Sequence, residues 1–226
     1  MLLTLLITFS LAFAFTHVIL SHGGIRASLV EKLGVLRFRA LYSLVALGTF
    51  APAAVIAFTE RHLGPVLWDL PRWLELVVAL PLMLFALELI ILSLATPSPV
   101  SLVPAKVEAR GVLRITRHPM NMGWALFGLA HLTASGALGD VVFFGACFVF
   151  VGIVGAYHLD RRKHRQGDEA FTAFFKETSV LPFVAILFRR QRLVFAEMPA
   201  PMLFLGLVAW MALVFFHGRL FGAPLF

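Results

Sequence analysis

Histidines set inside apolar stretches are the residues of this sequence best placed to do chemistry. His17 lies in Phe15-Thr16-His17-Val18 and His131 in Phe127-Gly128-Leu129-Ala130-His131, while His118 and His158 stand at the ends of other apolar runs. A polar side chain in hydrocarbon is costly, so each of these must either hydrogen-bond a neighbouring helix or hold a ligand. Several neutral imidazoles with almost no carboxylates among them suit a haem iron better than zinc or calcium. A bis-histidine haem is therefore the sharper reading, and interhelical hydrogen bonds the plainer one. Glu88, deep in another apolar run, poses the same choice between a hydrogen bond to its neighbour and a functional partner such as a histidine.

The densest polar cluster is Arg114-Ile115-Thr116-Arg117-His118-Pro119. In a continuous helix Arg114, Arg117 and His118 share one face, because positions three and four apart are neighbours. On that face they would pair a lipid headgroup, a carboxylate or the propionates of a haem. Pro119 suits the first turn of the helix that follows, and Gly123 lets a neighbouring backbone or ligand approach closely. Much other chemistry is excluded. The single Cys147 cannot close an internal disulfide or build a CxxC or zinc-ribbon cluster, and there is no Gly-rich phosphate loop, HExxH run or Ser-His-Asp order. His62, His164 and His217 read as interfacial.

The elements that must position these residues follow from composition. Of 226 residues 60% are hydrophobic and 14% charged, with a mean hydropathy of +0.92, far from the balance of a soluble domain. A spanning helix needs about 20 mostly apolar residues, since all its backbone polar groups must be satisfied internally. Six stretches qualify, roughly 2–21, 40–58, 73–95, 119–135, 141–158 and 200–217, the fourth being short. The first reads as a retained helix, because no basic segment precedes it. The expected fold is all-α, a polytopic membrane bundle forming a single domain over 1–226. Loops 22–39, 96–118 and 159–199 hold 16 of the 19 Lys and Arg, which places them on the cytoplasmic side and both termini outside. The net charge of +7 then faces anionic membrane lipid, and nucleic acid is a poor partner. Pro97, Pro99 and Pro104 make 96–104 a linker, while 107–116 and 160–176, the latter with Phe171, Phe174 and Phe175, read as amphipathic helices lying on the cytoplasmic surface.

Several runs resemble the family that unites bacterial NnrU proteins with the 15-cis-zeta-carotene isomerase of plants and algae. They are Phe15-Thr16-His17, Ala40-Leu41-Tyr42-Ser43-Leu44, Gly111-Val112-Leu113-Arg114-Ile115-Thr116-Arg117-His118-Pro119, Leu129-Ala130-His131, Gly155-Ala156-Tyr157, Asp160-Arg161-Arg162 and Thr178-Ser179-Val180-Leu181-Pro182-Phe183. The resemblance implies an integral membrane protein, in a bacterial inner membrane, that carries haem b held by two histidines. It also implies redox-dependent isomerisation of a lipophilic polyene, with an electron donor that the sequence does not name. Carried over by motif, His17 and His131 are the metal ligands and catalytic pair, with Arg114, Arg117 and His118 at the cofactor; His22 competes with His17. In the isomerase a cysteine three residues before the second histidine is the alternative ligand, and here that position is Gly128. Depth gives a different pairing. His118 and His131 are 13 residues apart, about 19 Å along a helix, so the expected topology sets His17 or His22 level with His118.

Two further readings compete. Arg117-His118-Pro119 with Gly123 also resembles membrane methyltransferases of the isoprenylcysteine and phospholipid type, which bind S-adenosylmethionine, although their later paired glutamates are replaced here by His158-Leu159-Asp160. The NnrU name implies a non-enzymatic accessory role in denitrification.

Overall fold

The computed structural model describes residues 1–99, 107–165 and 169–222, and among these the regular elements are all helical, with one isolated bridge between Val66 and Ala137. Helices α1 (Leu2–Ser21), α2 (Gly23–Leu33), α3 (Val35–Thr59) and α4 (Arg72–Ala95) are followed by a 3-10 turn at Gly111–Arg114 and by α5 (Pro119–Ala134). Next come α6 (Leu138–Phe144), a π turn at Gly145–Phe150 and α7 (Val151–His164), continuous as one element. The chain ends with α8 (Glu169–Glu177), α9 (Val184–Leu187), a 3-10 turn at Phe195–Glu197 and α10 (Ala200–Phe221).

Five helices are long and apolar enough to cross a membrane: α1, α3, α4, Leu138–His164 and α10. The fourth expected span forms as α5 but has only 16 residues, about 24 Å against a hydrocarbon core of about 30 Å. Pro119 opens it, as expected.

The chain folds into two compact units, residues 1–80 with 128–158 and residues 81–127 with 159–226. In the first unit α1 packs on α3 and on the Leu138–Phe150 segment. Leu6, Ser10 and Ala14 bury one stripe of α1, and Ala53 and Ala57 bury one of α3, small residues where helices close in. A phenylalanine cluster fills the space between them: Phe50 lies 5.1 Å from Phe13 and 6.0 Å from Phe143, with Phe148 beside both Phe50 and Phe143. The loop after α3 zips onto the start of α6, with Leu67 N–H donating to Gly136 O and Gly139 N–H to Leu63 O.

In the second unit Ala86 and Leu89 of α4 and Met122 of α5 are buried together with Val112, Leu113 and Ile115. A Cβ on Gly123 would sit 2.6 Å from Ile90 Cγ1 and 2.9 Å from Ala86 O, so the close approach expected at this glycine is present. Glu88 lies against Gly206 of α10, and its Oε2 is buried without a hydrogen-bond partner.

The helix expected at 107–116 is corrected, and of the one expected at 160–176 the amphipathic part forms as α8 while its start belongs to α7. Residues 107–110 are not helical and 111–114 make a single 3-10 turn, entered through Gly111 at φ 53°. Asp160 lies inside α7, which runs on to His164, instead of starting a new helix. Phe174 and Phe175 of α8 are buried against Val107 and Ala109 of the chain itself, so this apolar face is already covered by protein. Pro104, in the expected linker, lies outside the described residues.

Candidate functional site

The Arg-Ile-Thr-Arg-His-Pro run breaks into a 3-10 turn and a bend before α5, so Arg114, Arg117 and His118 do not share a helix face. Each instead finds a carboxylate within the second unit. Asp160 accepts hydrogen bonds from His118 Nε2 at 2.6 Å and from Arg117 Nη2 at 2.6 Å and Nε at 2.9 Å. The side chains of His118 and Arg117 are 2% and 13% exposed, so the Arg117–Asp160 ion pair and the imidazole bonded to it form a buried polar cluster. Arg117 also lies 5.0 Å over the Phe175 ring, a cation–π contact.

Around this cluster the two most specific sequence runs are stitched together. Arg117 N–H donates to Ser179 O at 2.9 Å, Phe183 N–H to Ile115 O at 2.9 Å, Thr116 Oγ1 to Val180 O at 2.5 Å and Arg117 Nη1 to Thr178 O at 3.0 Å. Irregular backbone is buried here, and each donor named has an acceptor.

Arg114 belongs to a second pair. Its guanidinium donates to both oxygens of Glu197 at 2.7 Å and to Gln191 Oε1 at 2.7 Å, and Gly111 N–H adds a third bond to Glu197 at 2.7 Å. The guanidinium beside it, then the Gly111 N–H, hold the Glu197 carboxyl down at about 2. The group is ordinarily near 4.5, so the folded state gains stability above that pH and loses it as pH falls towards about 2. Melting curves in detergent between pH 6 and 3 are expected to show the wild type falling towards Glu197→Gln as the pH drops. A constant gap between the two would show that the pair does not report on this carboxyl.

His17 sits in the first unit with its ring 4.8 Å from Tyr42 and 5.1 Å from Phe13, and Tyr42 Oη donates to the His17 carbonyl at 3.4 Å. Its Nδ1 is buried and makes no hydrogen bond. An orphaned imidazole nitrogen in an apolar setting is what a ligand position requires. His131 stacks on Phe144, with centroids 4.2 Å apart and planes 13° from parallel.

Both histidines belong to the first unit, each against its own aromatic partners. Helix α1 and the Leu138–His164 element run parallel, since Leu6 meets Gly139 at one end and Ser21 meets His158 at the other. At a rise of about 1.5 Å per residue, His17 falls about 9–15 Å further along this pair than Phe144, on which His131 stacks. Both side chains on the parallel helices lean the same way, so their rings keep that offset. His17 and His131 both lie in the first unit, and no chemical step is derived through a haem held by them. His118 is engaged by Asp160 through Nε2.

Gly128 has a steric reason. Its Cβ would stand 2.6 Å from Phe148 Cβ and 2.7 Å from Phe144 O, where the π turn presses on α5. No side chain fits there, a cysteine included.

Sequence reasoning missed three partnerships: Asp160 with Arg117 and His118, Glu197 with Arg114, and His158 with Ser21 and His22. The first had a signal. A guanidinium and an imidazole entering an apolar run need an acceptor, and Asp160 closes another apolar run in a stretch that the resemblance already singled out.

Comparison with known proteins agrees with the motifs. The chain is 28% identical over 186 residues to the chloroplastic 15-cis-zeta-carotene isomerase of Zea mays, covering 76% of this chain and 49% of that one. It is 32% identical over 168 residues to the enzyme of the same name from Arabidopsis thaliana, covering 71% of this chain and 45% of that one. It thus spans about half the length of the curated relatives it matches. No solved structure matches it. The family profile described as NnrU protein matches residues 5–225, and on that extent the chain belongs to the NnrU family, distantly related to 15-cis-zeta-carotene isomerase.

Proposed function

We propose that this protein is a membrane-embedded isomerase that acts on a cis double bond of a long lipophilic polyene such as 15-cis-zeta-carotene, with haem b as its cofactor. The similarity to two carotene isomerases over roughly three quarters of the chain carries this reading. The chemistry is consistent with the setting. Rotation about a double bond adds and removes no atoms, so the reaction needs neither water nor a soluble co-substrate. Exposed Phe15, Leu44, Val55 and Phe58 give the first unit an apolar exterior, from which a polyene can be drawn directly out of the bilayer. The orphaned Nδ1 of His17 supports a ligand-binding interior in the same unit. In the proposed topology residues 159–199 face the cytoplasm and both termini lie outside, with α5 serving as a short sixth span.

The test is product analysis. Membranes containing the haem-loaded protein are given 15-cis-zeta-carotene with and without dithionite, and the isomers are separated by chromatography. The expected result is the central trans product only under reducing conditions. Unchanged substrate in both arms, with haem bound, would remove the isomerase reading.

A further inference from the structure

Between α8 and α10 the chain of the second unit makes a braced hairpin whose outward side chains are apolar. It leaves α8 at Thr178, turns through Phe183 at φ 65° and the single turn of α9, and comes back through Arg189 at φ 56° to Arg190. Its mouth is closed by Arg190 Nη1, which donates to Lys176 O at 2.9 Å and to Thr178 O at 3.2 Å. Inside, Ala185 N–H donates to Ser179 Oγ at 2.9 Å, and the N–H groups of Arg190 and Gln191 both donate to Ala185 O, at 2.8 and 3.1 Å. Thr178, Ser179 and Ala185 are buried, so the loop is held from within. Its outer face carries Leu181, Leu187 and Phe188, the last two 77% and 69% exposed. Large apolar side chains held outward in this way mark a surface that meets something apolar.

What that surface meets follows from its depth. The Phe183 ring stacks on Phe85 of α4, with centroids 5.3 Å apart and planes 21° from parallel. Phe85 lies at the middle of the apolar run of α4 between Glu75 and Thr96. From Phe85 to Ala95, where the helix ends, is about 15 Å, half of a hydrocarbon core of about 30 Å. Long side chains on a helix lean towards its N-terminus, which carries the Phe85 ring further from Ala95. A ring reaches only part of that distance from its own backbone, so the hairpin at Phe183 lies below the end of α4.

Irregular backbone survives at membrane depth only where protein satisfies its polar groups. Here Phe183 N–H donates to Ile115 O, while Ser179 O and Val180 O accept from Arg117 N–H and Thr116 Oγ1. Arg189, Arg190 and Arg192, all exposed, stand where the chain climbs out. Basic side chains at that level meet the phosphates of anionic lipid.

We propose that Thr178–Arg190 is a re-entrant segment, with Leu181, Leu187 and Phe188 seated among lipid acyl chains and the three arginines at the headgroups. Both ends of the hairpin stay on one side of the membrane, and the apolar tip adds a lipid contact between two spans. To test this, the full-length protein is placed in lipid nanodiscs, and Leu187→Cys and Phe188→Cys are each labelled with a nitroxide. Cys147 is buried, and wild type treated in the same way gives the background. Power saturation compares collisions with oxygen, which concentrates in hydrocarbon, and with a nickel chelate confined to water. Leu205→Cys on the exposed face of α10 is the membrane reference, and Glu169→Cys at the start of α8 the water reference. The labels at Leu187 and Phe188 are expected to follow the one at Leu205, keeping the oxygen effect and losing the nickel effect seen at Glu169. Nickel collisions at either position equal to those at Glu169 overturn the proposal and mark the face as one for a soluble partner. Substitutions of exposed side chains cost little stability, and Leu181→Cys repeats the test on the other arm of the hairpin.

Discussion

Asp160→Ala is expected to cost about 3–5 kcal/mol, the range found when one partner of a buried ion cluster is removed. The cost comes from what is left behind. Without the carboxylate the His118 and Arg117 side chains, 2% and 13% exposed, remain buried with their strongest acceptor gone. The loop over Thr178–Phe183 is then held to the Arg114–Pro119 run by backbone bonds, by Thr116 and by the Arg117 Nη1 bond to Thr178 O. Asp160→Asn keeps the shape and some of the hydrogen bonding and should fall between the two. Thermal unfolding in detergent measures this directly. A loss under about 1 kcal/mol, as for an exposed pair, would mean that water reaches the cluster.

Gly128→Cys, which recreates the cysteine of the isomerase, is expected to destabilise the protein rather than restore ligand exchange. The new Cβ would meet Phe148 Cβ at 2.6 Å and the Phe144 carbonyl oxygen at 2.7 Å, and one of these neighbours is backbone that cannot swing aside. Overpacking of this kind costs about 1–3 kcal/mol. Gly128→Ala should cost nearly as much, since the clash is made by Cβ and not by sulfur. Equal stability of Gly128→Cys and wild type, with a thiolate-type absorption spectrum, would refute the steric account.

The helices were legible in the sequence because hydrocarbon imposes length and apolarity on anything that crosses it. Pro119 and Gly123 were legible too, since each has one local role, and the structure shows both. The ends of elements were less so. Helix α3 begins at Val35 rather than near 40, because Arg37 and Arg39 extend a helix beyond its apolar part as readily as they end a span. The π turn at Gly145–Phe150 follows from tertiary packing against α5, and nothing in Gly-Ala-Cys-Phe-Val-Phe announces it.

The candidate site was legible by residue type but not by pairing. Arg114, Arg117 and His118 were visible as a cluster, yet their carboxylates lie 83, 43 and 42 residues away. His22 and His158 were visible as residues, but their contact across the chain was not. His22 falls at a break that interrupts no proline or charge run, so hydropathy alone gives no cause to place a ring there.

The interleaving of the two units bears on how the protein is made. Residues 1–80 wait for 128–158, and residues 81–127 wait for 159–226, so neither unit is complete when the other begins. A fragment ending at 127 lacks the π-turn segment on which α1 packs, and one starting at 128 lacks the partners of Asp160. Arg117 leaves the ribosome 43 residues ahead of its carboxylate, a delay on the order of 2–9 s at ordinary translation rates. During that interval a guanidinium destined for burial is sheltered only by water, headgroups or the insertion machinery, so the speed of synthesis sets how long the nascent chain is vulnerable.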